Sequence, residues 1–106
     1  MDAVTGLSGS GPAYVYTFIE SLAMQAKEEG LPPEESLKLA TQTVIGAARM
    51  IEQTGMSPRE LINQVTSPGG TTLAGLAALT EHGFEKSIAA GVHAASERSR
   101  QLAAES

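Results

Sequence analysis

The chain has 106 residues, 42% hydrophobic and 18% charged, with seven Lys and Arg against twelve Asp and Glu for a net charge of -5. That length makes one domain with a single core, the apolar fraction excludes a disordered chain, and the acidic balance argues against nucleic acid, which needs a basic face to track its phosphates. The lack of cysteine excludes a disulfide framework, a thiolate metal site and a cysteine nucleophile, and fits a cytoplasmic location.

No apolar run reaches the roughly 20 residues that span a bilayer, and Met1-Asp2 opens no signal peptide, so a soluble, unsecreted protein without a membrane partner is expected. After a short lead, Gly11-Pro12 puts a proline where a helix starts, at a position whose amide has no intrahelical acceptor. Val15, Phe18, Ile19, Leu22, Ala23 and Ala26 recur at spacings of three and four up to Gly30, which predicts a helix over 12–29. Pro32-Pro33-Glu34-Glu35 repeats the opening signal, with carboxylates at the positive end of the helix dipole, and predicts a second helix over 33–54 that stops at Gly55. Leu37, Ala40, Val44, Ala48 and Ile51 form one stripe of it, while Leu39, Ile45, Gly46, Ala47 and Met50 carry apolar or small groups around most of the cylinder. Such a helix needs cover on several sides.

Ser57-Pro58-Arg59-Glu60 reads as a capping box ahead of a short helix over 58–65. Ser67-Pro68-Gly69-Gly70 cannot be helical throughout, because residue 67 precedes a proline and two glycines follow. Leu73, Leu76 and Leu79 then predict a helix over 71–82, closed by Gly83, and Phe84, Ile88, Val92, Ala95 and Leu102 a fifth over 84–104. No segment alternates with period two, so the fold class is all-α. Gly46, Gly75 and Gly91 each cost about 1 kcal/mol relative to alanine inside a helix, and close helix contact is the expected return.

Gly6-Leu7-Ser8-Gly9-Ser10-Gly11 has glycines at dinucleotide-fingerprint spacing, but no strand fits upstream and no βαβ unit surrounds it. It reads as a junction where a turn passes close to neighbouring backbone. Ser67 to Thr72 sets hydroxyls and glycines at a helix start. There the spacing admits both an ordinary capped loop and a cradle of free amides for an anion such as a carboxylate. His82 and His93 have no second ligand at metal spacing, so no metal is expected. Glu28-Glu29 and Glu34-Glu35 flank a helix turn and read as solvated acids.

Two stretches, Thr5-Gly6-Leu7-Ser8-Gly9-Ser10-Gly11-Pro12-Ala13-Tyr14 and Val65-Thr66-Ser67-Pro68-Gly69-Gly70-Thr71-Thr72 followed by Gly75-Leu76, carry a resemblance. In combination and at this separation they resemble the C-terminal domain of pyrroline-5-carboxylate reductase. The likeness extends over essentially the whole chain, including Gly30-Leu31-Pro32 and Arg98. Thr80 and Gln64 depart from it, standing where the family more often has an acidic or amide residue and an asparagine.

The resemblance implies a five-helix domain of the 6-phosphogluconate-dehydrogenase C-terminal kind, its long helices intertwined with those of a second subunit. It implies an enzyme that reduces the imine of 1-pyrroline-5-carboxylate to L-proline with NADPH or NADH, the last step of proline biosynthesis. The family's Rossmann domain, which holds the NADP or NAD, is absent from this chain. Met1 is therefore expected to begin a truncated piece, inactive by itself and binding no cofactor alone. By the same resemblance Ser67, Gly69, Gly70, Thr71 and Thr72 bind the substrate, the Ser67 hydroxyl and the amides of Gly70, Thr71 and Thr72 holding its carboxylate. Thr72 is the catalytic residue, its hydroxyl directed at the ring nitrogen, and Gln64 and Val65 of the dimer neighbour stand near the nicotinamide. A homodimer is implied, with assembly beyond a dimer left open. The rival reading is a free-standing helical dimerisation module without catalytic duty; a related reductase acting on another acid fits the Ser-Pro-Gly-Gly-Thr-Thr loop less well.

Overall fold

The structure, a computed structural model, describes residues 1–105. Its elements in chain order are α1 (Asp2–Val4), a π-helical turn (Thr5–Gly9), α2 (Gly11–Glu28), α3 (Pro33–Thr54), α4 (Pro58–Gln64), α5 (Thr71–Glu81) and α6 (Phe84–Glu105), with no strand among the described residues. The all-α class holds, and α2 to α6 are the five expected helices, each boundary within one residue of the sequence reading.

The boundaries form for the reasons the residues suggest. Gly55 takes a left-handed conformation (φ 68°) and donates its amide to the Ile51 carbonyl, ending α3 where a side chain would be strained. Ser57 and Glu60 close a reciprocal capping box. The Glu60 amide donates to Ser57 Oγ and the Ser57 amide donates to Glu60 Oε1, both at 3.1 Å. Hydrogen bonding from Ser57 to the carboxylate, its backbone amide contributing most and its side chain next, holds the Glu60 carboxyl below its ordinary value.

The lead differs from expectation, because it is wound into α1 and the π turn rather than left as a plain connection. Pro12 has no amide to give the carbonyl one turn back, which breaks the regular ladder before α2. The wider turn is closed instead by the Ser10 amide on the Thr5 carbonyl at 2.9 Å.

The chain divides into two compact units, residues 1–14 with those from 69 on, and Val15–Pro68. In the first, α1 and the π turn lie on α6, and α5 packs beside α6. Gly6 is buried there. A β-carbon on it would come within 2.7 Å of the Val92 carbonyl oxygen, the close backbone passage expected of this glycine-rich junction. The Ser99 hydroxyl donates to Asp2 Oδ1 at 2.9 Å, and the Tyr14 hydroxyl donates to the Gly91 carbonyl at 3.3 Å.

In the second unit Ser36 is buried, its hydroxyl donating to the Pro32 carbonyl at 2.9 Å. Ala40 is the single buried hydrophobic residue among those described. Along α3, Leu37, Leu39, Met50 and Ile51 are 54%, 53%, 45% and 44% exposed, so the helix expected to need cover on several sides is left bare on several. Within the chain Gly46, Gly75 and Gly91 make no close helix contact, since nothing lies within 4 Å of where a β-carbon would stand at any of the three.

Candidate functional site

The segment from Gly69 to Thr72 starts α5. Gly69 has φ 74°, a left-handed turn that a β-carbon would strain. Gly70 is the N-cap in extended conformation, φ -82° and ψ 172°. The first bond of the helix is the Ala74 amide to the Gly70 carbonyl at 3.2 Å, so the amides of Thr71 and Thr72 come before the intrahelical ladder begins. No side chain caps this end, which separates it from the capped loop that the spacing alone also admits. Thr71 and Thr72 are exposed, and no cationic residue occurs between Ser67 and Thr80. An anion here would meet backbone amides, hydroxyls and the positive end of a helix dipole.

Ser67 belongs to the other unit and is exposed. In that unit the expected cofactor-side residues, Gln64 and Val65, sit on the wall of a groove of about 320 Å³ between α3 and α4, with Met50, Ile51, Leu61 and Ile62 among its other walls. The Gln64 amide nitrogen points to the Met56 sulfur at 3.7 Å, and Val65 is 65% exposed. Thus the expected site residues fall into two groups, Gly69 to Thr72 opening α5 in one unit, and Gln64, Val65 and Ser67 in the other, the first two of these beside the groove.

The remaining candidates find simpler roles. Gly6 is covered by α6 and offers nothing to a phosphate. His82 Nδ1 lies 3.0 Å from the Ala78 carbonyl at the end of α5, where an imidazole N–H satisfies a terminal carbonyl. His93 is exposed, and among the described residues no three His, Asp or Glu side chains gather as a metal ion requires. Among the described helices none is long and apolar enough to cross a membrane. Sequence reasoning missed the bonds from Tyr14 to Gly91 and from Ser99 to Asp2, because each pairs residues far apart in the chain with no local signature.

The family described as pyrroline-5-carboxylate reductase dimerisation matches residues 1–102. The pyrroline-5-carboxylate reductase of Glycine max is 55% identical over 101 residues, covering 95% of this chain and 37% of that protein. That of Methanosarcina acetivorans is 52% identical over 102 residues, covering 96% and 38%. Among solved structures, the Plasmodium falciparum pyrroline carboxylate reductase with NADP bound superposes with a TM-score of 0.93 at 39% identity, covering 96% of this chain and 39% of that one. The 1-pyrroline-5-carboxylate reductase of Streptococcus pyogenes gives 0.91 at 36% identity, covering 94% and 39%. The chain therefore spans somewhat over a third of the length of the relatives it matches.

Proposed function

Because this chain belongs to the pyrroline-5-carboxylate reductase dimerisation family, we propose that it is the helical part of an enzyme that reduces 1-pyrroline-5-carboxylate to L-proline in the cytoplasm, the closing step of proline biosynthesis. In that enzyme it supplies the homodimer interface and the loop that receives the substrate carboxylate. The observation that carries the site assignment is the uncapped start of α5 behind Gly69-Gly70, an amide cradle for an anion with no competing side chain.

A nicotinamide cofactor, NADPH or NADH, supplies the hydride to the imine carbon when bound. With no strand among the described residues, this chain has no βαβ cradle for the dinucleotide phosphates. Its contribution on that side is the surface at Gln64 and Val65, where an apolar wall suits the face of a nicotinamide ring. The amides of Gly70, Thr71 and Thr72, with the Ser67 hydroxyl, hold the substrate carboxylate and fix the ring. Thr72 directs its hydroxyl at the ring nitrogen. A threonine is too weak an acid to protonate the imine, so its part is orientation and a hydrogen bond that strengthens as the nitrogen becomes an amine. The nitrogen takes its proton from a donor other than Thr72.

Joining this chain to the NADP-binding domain of a relative and following NADPH oxidation tests the reading. Turnover that requires 1-pyrroline-5-carboxylate and yields proline supports it. A folded dimer without turnover leaves the chain a dimerisation module only.

A further inference from the structure

Met56 stands where α3 gives way to α4, with its backbone held from both sides. Before it, Gly55 turns left-handed and donates to the Ile51 carbonyl; after it, the Ser57 amide donates to the Glu60 carboxylate. Its own amide donates to Thr54 Oγ1 at 3.1 Å. The half-buried side chain therefore starts from a fixed point. Met56 also precedes the N-cap Ser57, a position from which an apolar residue staples the first turns of a helix. Leucine would serve that purpose equally, whereas the sulfur does something leucine cannot.

Gln64 is the last residue of α4. Helical side chains lean toward the N-terminus of their own helix, so Gln64 reaches back toward Met56, and its amide nitrogen donates to the Met56 sulfur at 3.7 Å. The Gln64 side chain is exposed and has no other hydrogen-bond partner among the described residues. An exposed glutamine samples many rotamers and loses that freedom when a ligand fixes it. A thioether is a weak acceptor, sufficient to bias the rotamer before a ligand arrives.

We propose that Met56 is a positioning residue for the cofactor side of the reaction: its sulfur holds one N–H of Gln64, leaving the second N–H and Oε1 set toward the nicotinamide end of the cofactor. This rests on the reading above that Gln64 stands at that end, and goes beyond it by naming what orients the side chain. Gln64 lines the groove and Met56 does not, so Met56 acts only through its neighbour.

A double-mutant cycle tests this in the chain joined to the NADP-binding domain of a relative. Met56→Leu keeps the size and the apolar staple and removes the acceptor. It should raise KM for NADPH about two- to threefold, the worth of a weak hydrogen bond, with kcat and Tm unchanged. On a Gln64→Ala background the same substitution should have no effect. Met56→Gln, which offers an oxygen acceptor, should bring KM back toward the wild-type value. In the isotope-labelled chain by itself, the Gln64 side-chain amide signals, identified by their loss in Gln64→Ala, should shift in Met56→Leu; that readout needs no turnover and stands if the joined enzyme fails to fold. Unmoved amide signals, or an equal rise in KM on both backgrounds, overturn the role of Met56 and leave Gln64 at the cofactor. A wild-type KM for NADPH in Gln64→Ala overturns the placing of Gln64 and the role of Met56 together.

Discussion

The bare α-carbon of Gly6 lies against the backbone of Val92: a β-carbon there would stand 2.7 Å from the Val92 carbonyl oxygen and 3.2 Å from the Ser96 amide nitrogen. Both obstacles are helix backbone, which cannot swing aside as a side chain can. Gly6→Ala should therefore destabilise the protein by about 1–3 kcal/mol of overpacking, more than the roughly 1 kcal/mol that alanine returns in helix propensity. Gly9→Ala is the control, since its nearest neighbour would be the Thr5 methyl at an ordinary 3.6 Å. Thermal unfolding at matched concentration should show a lowered Tm for the first and an unchanged or raised one for the second.

Ser57→Ala should cost about 1 kcal/mol by exposing the start of α4, read as a lower midpoint in urea unfolding. The box also predicts a pH effect. Glu60 is held below its ordinary value of 4.5, so the unfolded chain takes up its proton first as pH falls. The contribution is complete above 4.5 and is lost as pH drops through the depressed folded value. Glu60→Gln should flatten that part of the stability profile and leave the rest alone.

These two sites also show what the chain made legible. The capping box, the prolines at helix starts and Gly55 are local grammar, a few adjacent residues fixing one boundary, and all stand where they were read. The wound lead was not legible, because it depends on α6 lying across Gly6 and on Ser99 reaching Asp2. Nor could spacing decide whether the Gly69-Gly70 segment is capped. That turned on Gly70, which has no side chain, occupying the N-cap. The glycines at 46, 75 and 91 have no close neighbour within the chain: a residue code records room for an approach but not which chain makes it.

Thr72→Val, with the cofactor domain joined, keeps the amide and the branched shape while removing the hydroxyl. The loss of a hydrogen bond to a charge-developing nitrogen, about 1.5–3 kcal/mol, is roughly a ten- to one-hundred-fold fall in kcat/KM, with kcat falling alongside if the bond tightens in the transition state. Thr72→Ser should recover most of it. Ser67→Ala should raise KM instead, because its hydroxyl is assigned to the carboxylate. Wild-type kcat and KM in a folded, dimeric Thr72→Val enzyme would remove Thr72 from the mechanism.

With Ala40 as the single buried hydrophobic residue described and four large apolar side chains of α3 about half exposed or more, the monomer has too little core to stand alone. The midpoint of thermal unfolding should therefore rise with protein concentration, as association adds stability by mass action. A concentration-independent midpoint with a folded monomer in sedimentation equilibrium would contradict this.

This chain alone should give no saturable NADPH binding in titration calorimetry, since its described residues form no strand and hence no βαβ phosphate cradle. Binding should appear once a Rossmann domain is attached. A tight one-to-one isotherm without that domain would refute the division of labour.

The hydrogen bond from Ser99 to Asp2 joins residues 97 positions apart, and it has a kinetic meaning. During synthesis the turns around Asp2 cannot dock until α6 has left the ribosome, so closure of this ring is a late, high-contact-order event. Until then those turns lack the helix that covers them and stay open to proteases. Substitutions that unwind α6 around Ser99 should release them again, so that damage near Ser99 is felt first near Asp2, 97 positions away.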